Sequence, residues 1–227
     1  MAAVEVSPAI PPTVSDLKKD AVQVEVTSAS SSIASSPDAT TNSRLIVQSP
    51  YTDPEHLLDL DTLDAESGLF ARALAVLRNT RDDYATAPYP DSFNWAEVIA
   101  EVRALAERDG VAFARTSFYV VAFRSQIKPE TDYSHLGDLD KPAHAEAVAS
   151  GGFLKYWFGA PDPELRNLAT CLWRSREEAI AGGRGPAHRK AAMSTRALYA
   201  YWKIDQHRLT IHDDAAGFDI EPWTDDA

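Results

Sequence analysis

The sequence predicts an α+β fold: a ferredoxin-like β-α-β-β-α-β antiparallel sheet with an N-terminal helix pair. Three observations lead there. TSFYVVAFRSQI (116–127) is β-rich and apolar on both alternating faces, so both faces of its sheet need a cover. FLKYWFG (153–159) and NLATCLWRS (167–175) read as strands joined by the hairpin-like APDPELR. Helical patterns precede and follow this hairpin, which is the order of two split βαβ units with both helices on one face of the sheet.

The elements follow in order. Residues 1–43 are rich in Ser, Thr, Pro, Ala and Val and contain no aromatic residue, which predicts a disordered tail. RLIVQSPY (44–51) reads as a strand or a strap on the domain. In 64–80, Leu69, Phe70, Ala73, Leu74 and Leu77 recur at helical spacing. In 93–110, Trp95, Val98, Ile99, Val102, Leu105 and Ala106 share one face, Asn94 with Glu97 reads as a capping box, and Gly110 as the stop. Pro142, after Asp140, suits a first helical turn, and Gly151-Gly152 ends that helix. Ser175 reads as the N-cap of REEAIAGG. Pro186 opens PAHRKAAMSTRALYAYWK (186–203), whose inner stripe holds His188, Ala192, Thr195, Tyr199 and Trp202, and QHRLTIH (206–212) closes the sheet. The expected divisions are a tail (1–43), an acidic segment with two helices packing on the core (44–110), the α+β domain (111–212) and an acidic C-terminal tail (213–227).

The chain has 227 residues, 44% of them hydrophobic, enough for a sizeable core. Its single cysteine, Cys171, excludes an intramolecular disulfide and fits a reducing compartment. MAAVEVSPAIPPT lacks a basic region and an apolar run, so no secretory signal is expected, and no window approaches a membrane span. The net charge of −12 is uneven: −2 over 1–50, −8 over 51–110, +4 over 111–212 and −6 over 213–227. So acidic a chain is a poor general nucleic-acid binder, and its acidic flanks are expected to fold back onto the basic block. The second face of the first strand requires a cover. A second subunit, giving a homodimer with sheets face to face, is the leading candidate, and the N-terminal helix pair competes with it.

At SFYVVAFRS (117–125), LGDLDKPAHAEAVASGG (136–152), LKYWFG (154–159), RNLATCLWRS (166–175) and GPAHRKA (185–191) the chain resembles a fungal family of uncharacterised proteins, over roughly residues 92–212. The resemblance implies a cytoplasmic or nuclear protein and supplies no catalytic residues. The β-α-β-β-α-β order also looks like the dimeric α/β-barrel superfamily. That group includes cofactor-independent monooxygenases, haem-degrading enzymes, polyketide cyclases and stress-induced proteins. This second resemblance is one of architecture, and architecture does not imply function.

The candidate site residues each have two readings. His188 is the candidate general acid or base because its stripe holds Tyr199 and Trp202, and His144 sits in a similar PAH setting; the competing reading is a histidine satisfied locally near a helix start. Tyr156, Trp157 and Trp173 would form an aromatic wall for a flat substrate, or would pack the core or an interface. Arg124 and Arg174 end their strands and Arg176 opens a helix. They would bind an anion, or pair with the acidic segments 53–66 and 213–226, which is the favoured reading. Cys171 reads as a structural thiol and GGRGP as a turn. No metal-ligand spacing or cofactor motif is present, so no metal and no cofactor is expected. Two classes remain: a small-molecule-binding or cofactor-free enzymatic domain with His188, Tyr156, Trp157, Trp173, Arg174, Arg124 and Tyr199 around its ligand, or a non-catalytic interaction or stress-related dimer.

Overall fold

The structure is a computed structural model and describes residues 44–224; the expected 1–43 tail lies outside them. Twelve labelled elements follow in chain order. They are β1 (Leu45–Val47), β2 (Leu57–Asp59), α1 (Ala65–Ala73), α2 (Trp95–Asp109), β3 (Thr116–Ile127), α3 (Tyr133–Ser150), β4 (Phe153–Phe158), β5 (Arg166–Trp173), α4 (Arg176–Gly182), α5 (Pro186–Leu198), β6 (Tyr199–Ile211) and β7 (Phe218–Pro222). The main sheet runs β4-β5-β3-β6-β7 with every neighbouring pair antiparallel. Without β7 this is the ferredoxin-like order. The β4–β5 hairpin is at one side: β4 is an edge and β3 is the central strand.

Register divides the side chains between two faces. Phe118, Val120, Ala122, Leu168, Leu172 and Leu209 point to an inner face, where they share one core with Phe70, Leu74, Trp95, Val98 and Val102 of the N-terminal helices and the turn after α1. The cover of the sheet's second face is therefore the chain's own α1 and α2, and a face-to-face second subunit has no place there. Burial of one Val-to-Phe side chain contributes roughly 1.5–3 kcal/mol, and α2 buries all six of the apolar residues its spacing marks as inward. Tyr119, Phe153 and Trp173 point to the outer face, where they pack against Ala147 of α3 and Ala179 of α4.

Several expectations change. Asn94 makes no side-chain cap to α2; it instead joins the preceding loop to the helix, accepting from Arg78 N and donating to Val76 O and Glu97. Gly110 does end α2, at φ +66°. The first helix stops at Ala73 and tightens into a 3₁₀ turn over Leu74–Val76. The helix placed after Asp140 begins at Tyr133, capped by Asp132, so Pro142 lies inside it. The helix drawn to 203 ends at Leu198, because Tyr199–Asp205 pairs with β3 and its aromatic and β-branched residues suit a strand. The acidic C-terminal segment is no tail over its described part: Phe218–Pro222 forms β7 on β6. The 44–51 segment is both strand and strap, since β1 pairs with β2 and Gln48 O accepts from Tyr156 N at 2.8 Å.

Gly152 shows where the hairpin tolerates no side chain. It sits at φ +70°, and a Cβ there would collide with the Glu178 side chain that receives Arg174. Gly152→Ala is expected to lower unfolding stability by about 1–2 kcal/mol. An unchanged urea midpoint would contradict this.

Candidate functional site

The side chains with chemistry gather around Asp140 on α3, over the outer face of the sheet. Its carboxylate accepts from the hydroxyl of Tyr51, on the strap, and from Tyr156 Oη of β4 at 2.8 Å. One helical turn on, His144 points the same way, as positions i and i+4 must. Its Nδ1 lies 2.8 Å from Nδ1 of His56, and both histidines are buried. The rings of Tyr51, His56 and His144 have centroids about 5 Å apart. His188, at the start of α5, donates its backbone N–H to Glu146, as does Ala187, and its Nδ1 is 3.3 Å from Glu146 Oε2.

This setting shifts protonation. Burial pushes the Asp140 carboxyl up, against the two tyrosine hydrogen bonds that favour its charge. Burial and Asp140 together push Tyr156 well above the usual phenol range and Tyr199 to about 12. Burial, then Asp140, takes the Cys171 thiol to about 12, so it is a thiol and no nucleophile. Burial, then the neighbouring His56 and His188, lowers His144 to about 4. Tyr156 and Cys171 thus feel strong desolvation while each keeps partial accessibility, as side chains at the base of a groove do.

Beside them the outer face is open. Cross-strand rows Tyr156–Cys171–Val121–Gln206 and Phe158–Ala169–Phe123–Ile204 form a mainly apolar floor. Phe158 is exposed, as are Trp202, which stacks on Phe123, and Ile204. The helix α5, which packs against α3, has no buried residue.

The expected site residues do not assemble as one group. Tyr156 bonds Asp140 directly, His188 bonds Glu146 on the same helix, and Tyr199 packs edge-on to Phe123. Trp157 lies on the opposite face, against Tyr84 and Phe93, because adjacent residues of a strand point opposite ways. Trp173 is buried beside Phe153 under α4. The stripe linking His188 to Tyr199 and Trp202 is broken, since the last two belong to β6. Arg124 points to the inner face and binds Asp205 and the carbonyls of Tyr84, Ala85 and Ala87, not an acidic flank. Arg174 bonds Glu178 and lies 3.7 Å from Asp64, and Lys141 bridges Asp53, so segment 53–66 does meet the basic block.

A cleft of about 410 Å³ lies elsewhere, lined by Tyr119, Arg174, Arg176, Arg208 and Trp223, and another of about 250 Å³ is bounded by Leu60, Arg72 and Val111; His188 lines neither. Ligand atoms of Asp53, Glu55 and His56 fall within 4.8 Å of one another, but the Lys141 ammonium already neutralises Asp53. Among the described residues no helix is long and apolar enough to cross a membrane.

Sequence reasoning missed Tyr51, His56 and Asp140. The signal for Asp140 was its four-residue spacing from His144, hidden by reading Pro142 as the helix entrance. Comparison with known proteins adds the following. The chain is similar to the UPF0643 protein PB2B2.08 of Schizosaccharomyces pombe (strain 972 / ATCC 24843), with 38% identity over 188 residues, covering 79% of this chain and 84% of that protein. Among solved structures it is similar to SnoaB, a cofactor-independent oxygenase from Streptomyces nogalater, at 12% identity and TM-score 0.34, covering 40% of this chain and 90% of that one. It is also similar to Rv0793 from Mycobacterium tuberculosis, at 17% identity and TM-score 0.35, covering 41% and 93%. The profile of the PB2B2.08-like family matches residues 47–222, and the chain belongs to that family.

Proposed function

We propose that the chain binds a small molecule on the outer face of its sheet. The flat apolar part of the ligand lies on Val121, Phe123, Ala169 and Ile204, and its polar end meets Asp140, Tyr156 and His188. One observation carries this reading: a carboxyl raised by burial and held by two tyrosine hydroxyls stands at the rim of an accessible apolar floor. A buried polar cluster beside open apolar surface is the usual composition of a ligand site.

The same carboxyl favours a second reading, acid–base turnover of that ligand. A carboxyl whose proton affinity is raised by burial is a better proton acceptor than an ordinary one, and the tyrosines fix its orientation.

Native mass spectrometry of protein purified from its producing cells tests binding. Wild type is expected to retain a small molecule, and Asp140→Asn and Tyr156→Phe to weaken it by about tenfold, as loss of a charge-assisted hydrogen bond does. A protein that carries no ligand, or variants that carry it unchanged, would refute the site.

A further inference from the structure

The sheet has two edges, and the chain protects them unequally. Along β4 lies the strap, with Tyr156 N bonded to Gln48 O. On the other side, β7 covers only His207–Ile211 of β6, and Trp223 N reaches Gln206 O at 2.9 Å. Beyond this point β6 continues through Tyr199–Asp205, bonded to β3 on one side and without a strand on the other among the described residues. The Gln206 carbonyl points away from β3, so antiparallel alternation aims the backbone groups of Ile204 and Trp202 outward too.

Protein edges of this kind are usually blunted by charge, proline or a bulge, and here the register with β3 slips at Ala200, leaving Tyr201–Asp205 in regular pairing. Here Tyr201, Trp202 and Ile204 are 52%, 46% and 47% exposed, and the one cation among them, Lys203, is already bonded to Asp205 at 2.6 Å.

The geometry points to this edge as a self-association surface: a second copy adds its own Tyr199–Asp205 segment antiparallel to the first, about a two-fold axis at Trp202. The segment is self-complementary in that arrangement. Trp202 meets its own copy in an outward-facing pair, Lys203 comes opposite Tyr201, Asp205 comes opposite Tyr199, and no like charges face each other directly. A second copy is the occupant because the sheet's inner face is filled by α1 and α2, and the β4 edge by the strap. Trp202 and Ile204 also border the open floor of the outer face, so pairing would extend that floor into the neighbouring copy. The proposal does not depend on any ligand being bound there.

Sedimentation of the full chain at micromolar concentration should give twice the chain mass of 24.8 kDa, and Trp202→Lys/Ile204→Lys should give the single mass. Both replaced side chains are about half exposed, so the circular dichroism of the double variant should remain that of the folded chain. Hydrogen exchange of wild type gives a second readout that needs no variant: protection of the Trp202 and Ile204 amides should rise with protein concentration. A monomeric wild type, a double variant that still dimerises, or amide protection independent of concentration would each overturn the proposal. The last result, found with a monomer, would instead place residues 1–43 or another intramolecular segment on the edge.

Discussion

Replacing Arg124 by alanine is expected to destabilise the protein by about 3 kcal/mol, the low end of the cost of breaking a buried ion pair, because the pair is partly buried and Asp205 keeps Lys203. Arg124 stands on the central strand and faces inward, with a side chain only 13% exposed. Its Nε donates to Asp205 at 3.1 Å, Nη1 to Ala85 O at 2.6 Å and Nη2 to Ala87 O at 2.7 Å. Deleting the guanidinium leaves these acceptors under the loop without their cation, and the exposed Lys203 can serve only Asp205. Arg124→Lys keeps the charge but loses the planar fork, so it should recover only part of the loss. Urea denaturation measures both. A protein of wild-type stability that lost ligand binding would return Arg124 to the ligand-holding role read from the sequence.

Acid should weaken the fold through His144. Its pKa falls from 6.5 to about 4 on folding. Between these values the unfolded chain binds the proton and the folded chain does not. The stability linked to His144 is therefore complete above pH 6.5 and is lost as pH falls toward 4. A shift of that size corresponds to about 3 kcal/mol, and the side chain is 4% exposed, so little of it is screened. Burial of the ring is the main reason, and His56 adds to it, since its Nδ1 lies 2.8 Å from that of His144. Denaturation midpoints from pH 7 to 4 should fall more steeply in wild type than in His144→Asn. Parallel slopes would show that the ring is not the titrating group.

The sheet was legible where the sequence admits one period. Residues 116–127 could form only a strand, and the stripe from Trp95 to Ala106 only a helix. It was illegible where two periods fit: in 186–203 the helical spacing of His188, Thr195, Tyr199 and Trp202 competes with the β preference of YAYWKI. Tertiary pairing with β3 decides that contest, and no local signal carries it. The candidate site shares the difficulty. Tyr156, His188 and Tyr199 stood out by residue type, whereas Asp140 depended on where α3 begins. Tyr51 and His56 arrive from a strap whose path is set by Gln48 meeting the β4 edge. Sequence alone also placed Tyr156 and Trp157 in one wall, which the alternation of a strand forbids.

The two helices that cover the inner face have a consequence for mass action. A sheet whose second face is closed by another molecule unfolds more readily on dilution, since its cover departs into solution. In this chain the cover is covalently attached, and residues on both sides of position 110 belong to one core. The change of charge near 110 is therefore no boundary of cooperativity. Folding is unimolecular in concentration, and any association at the β6 edge can form and dissolve with the monomer intact.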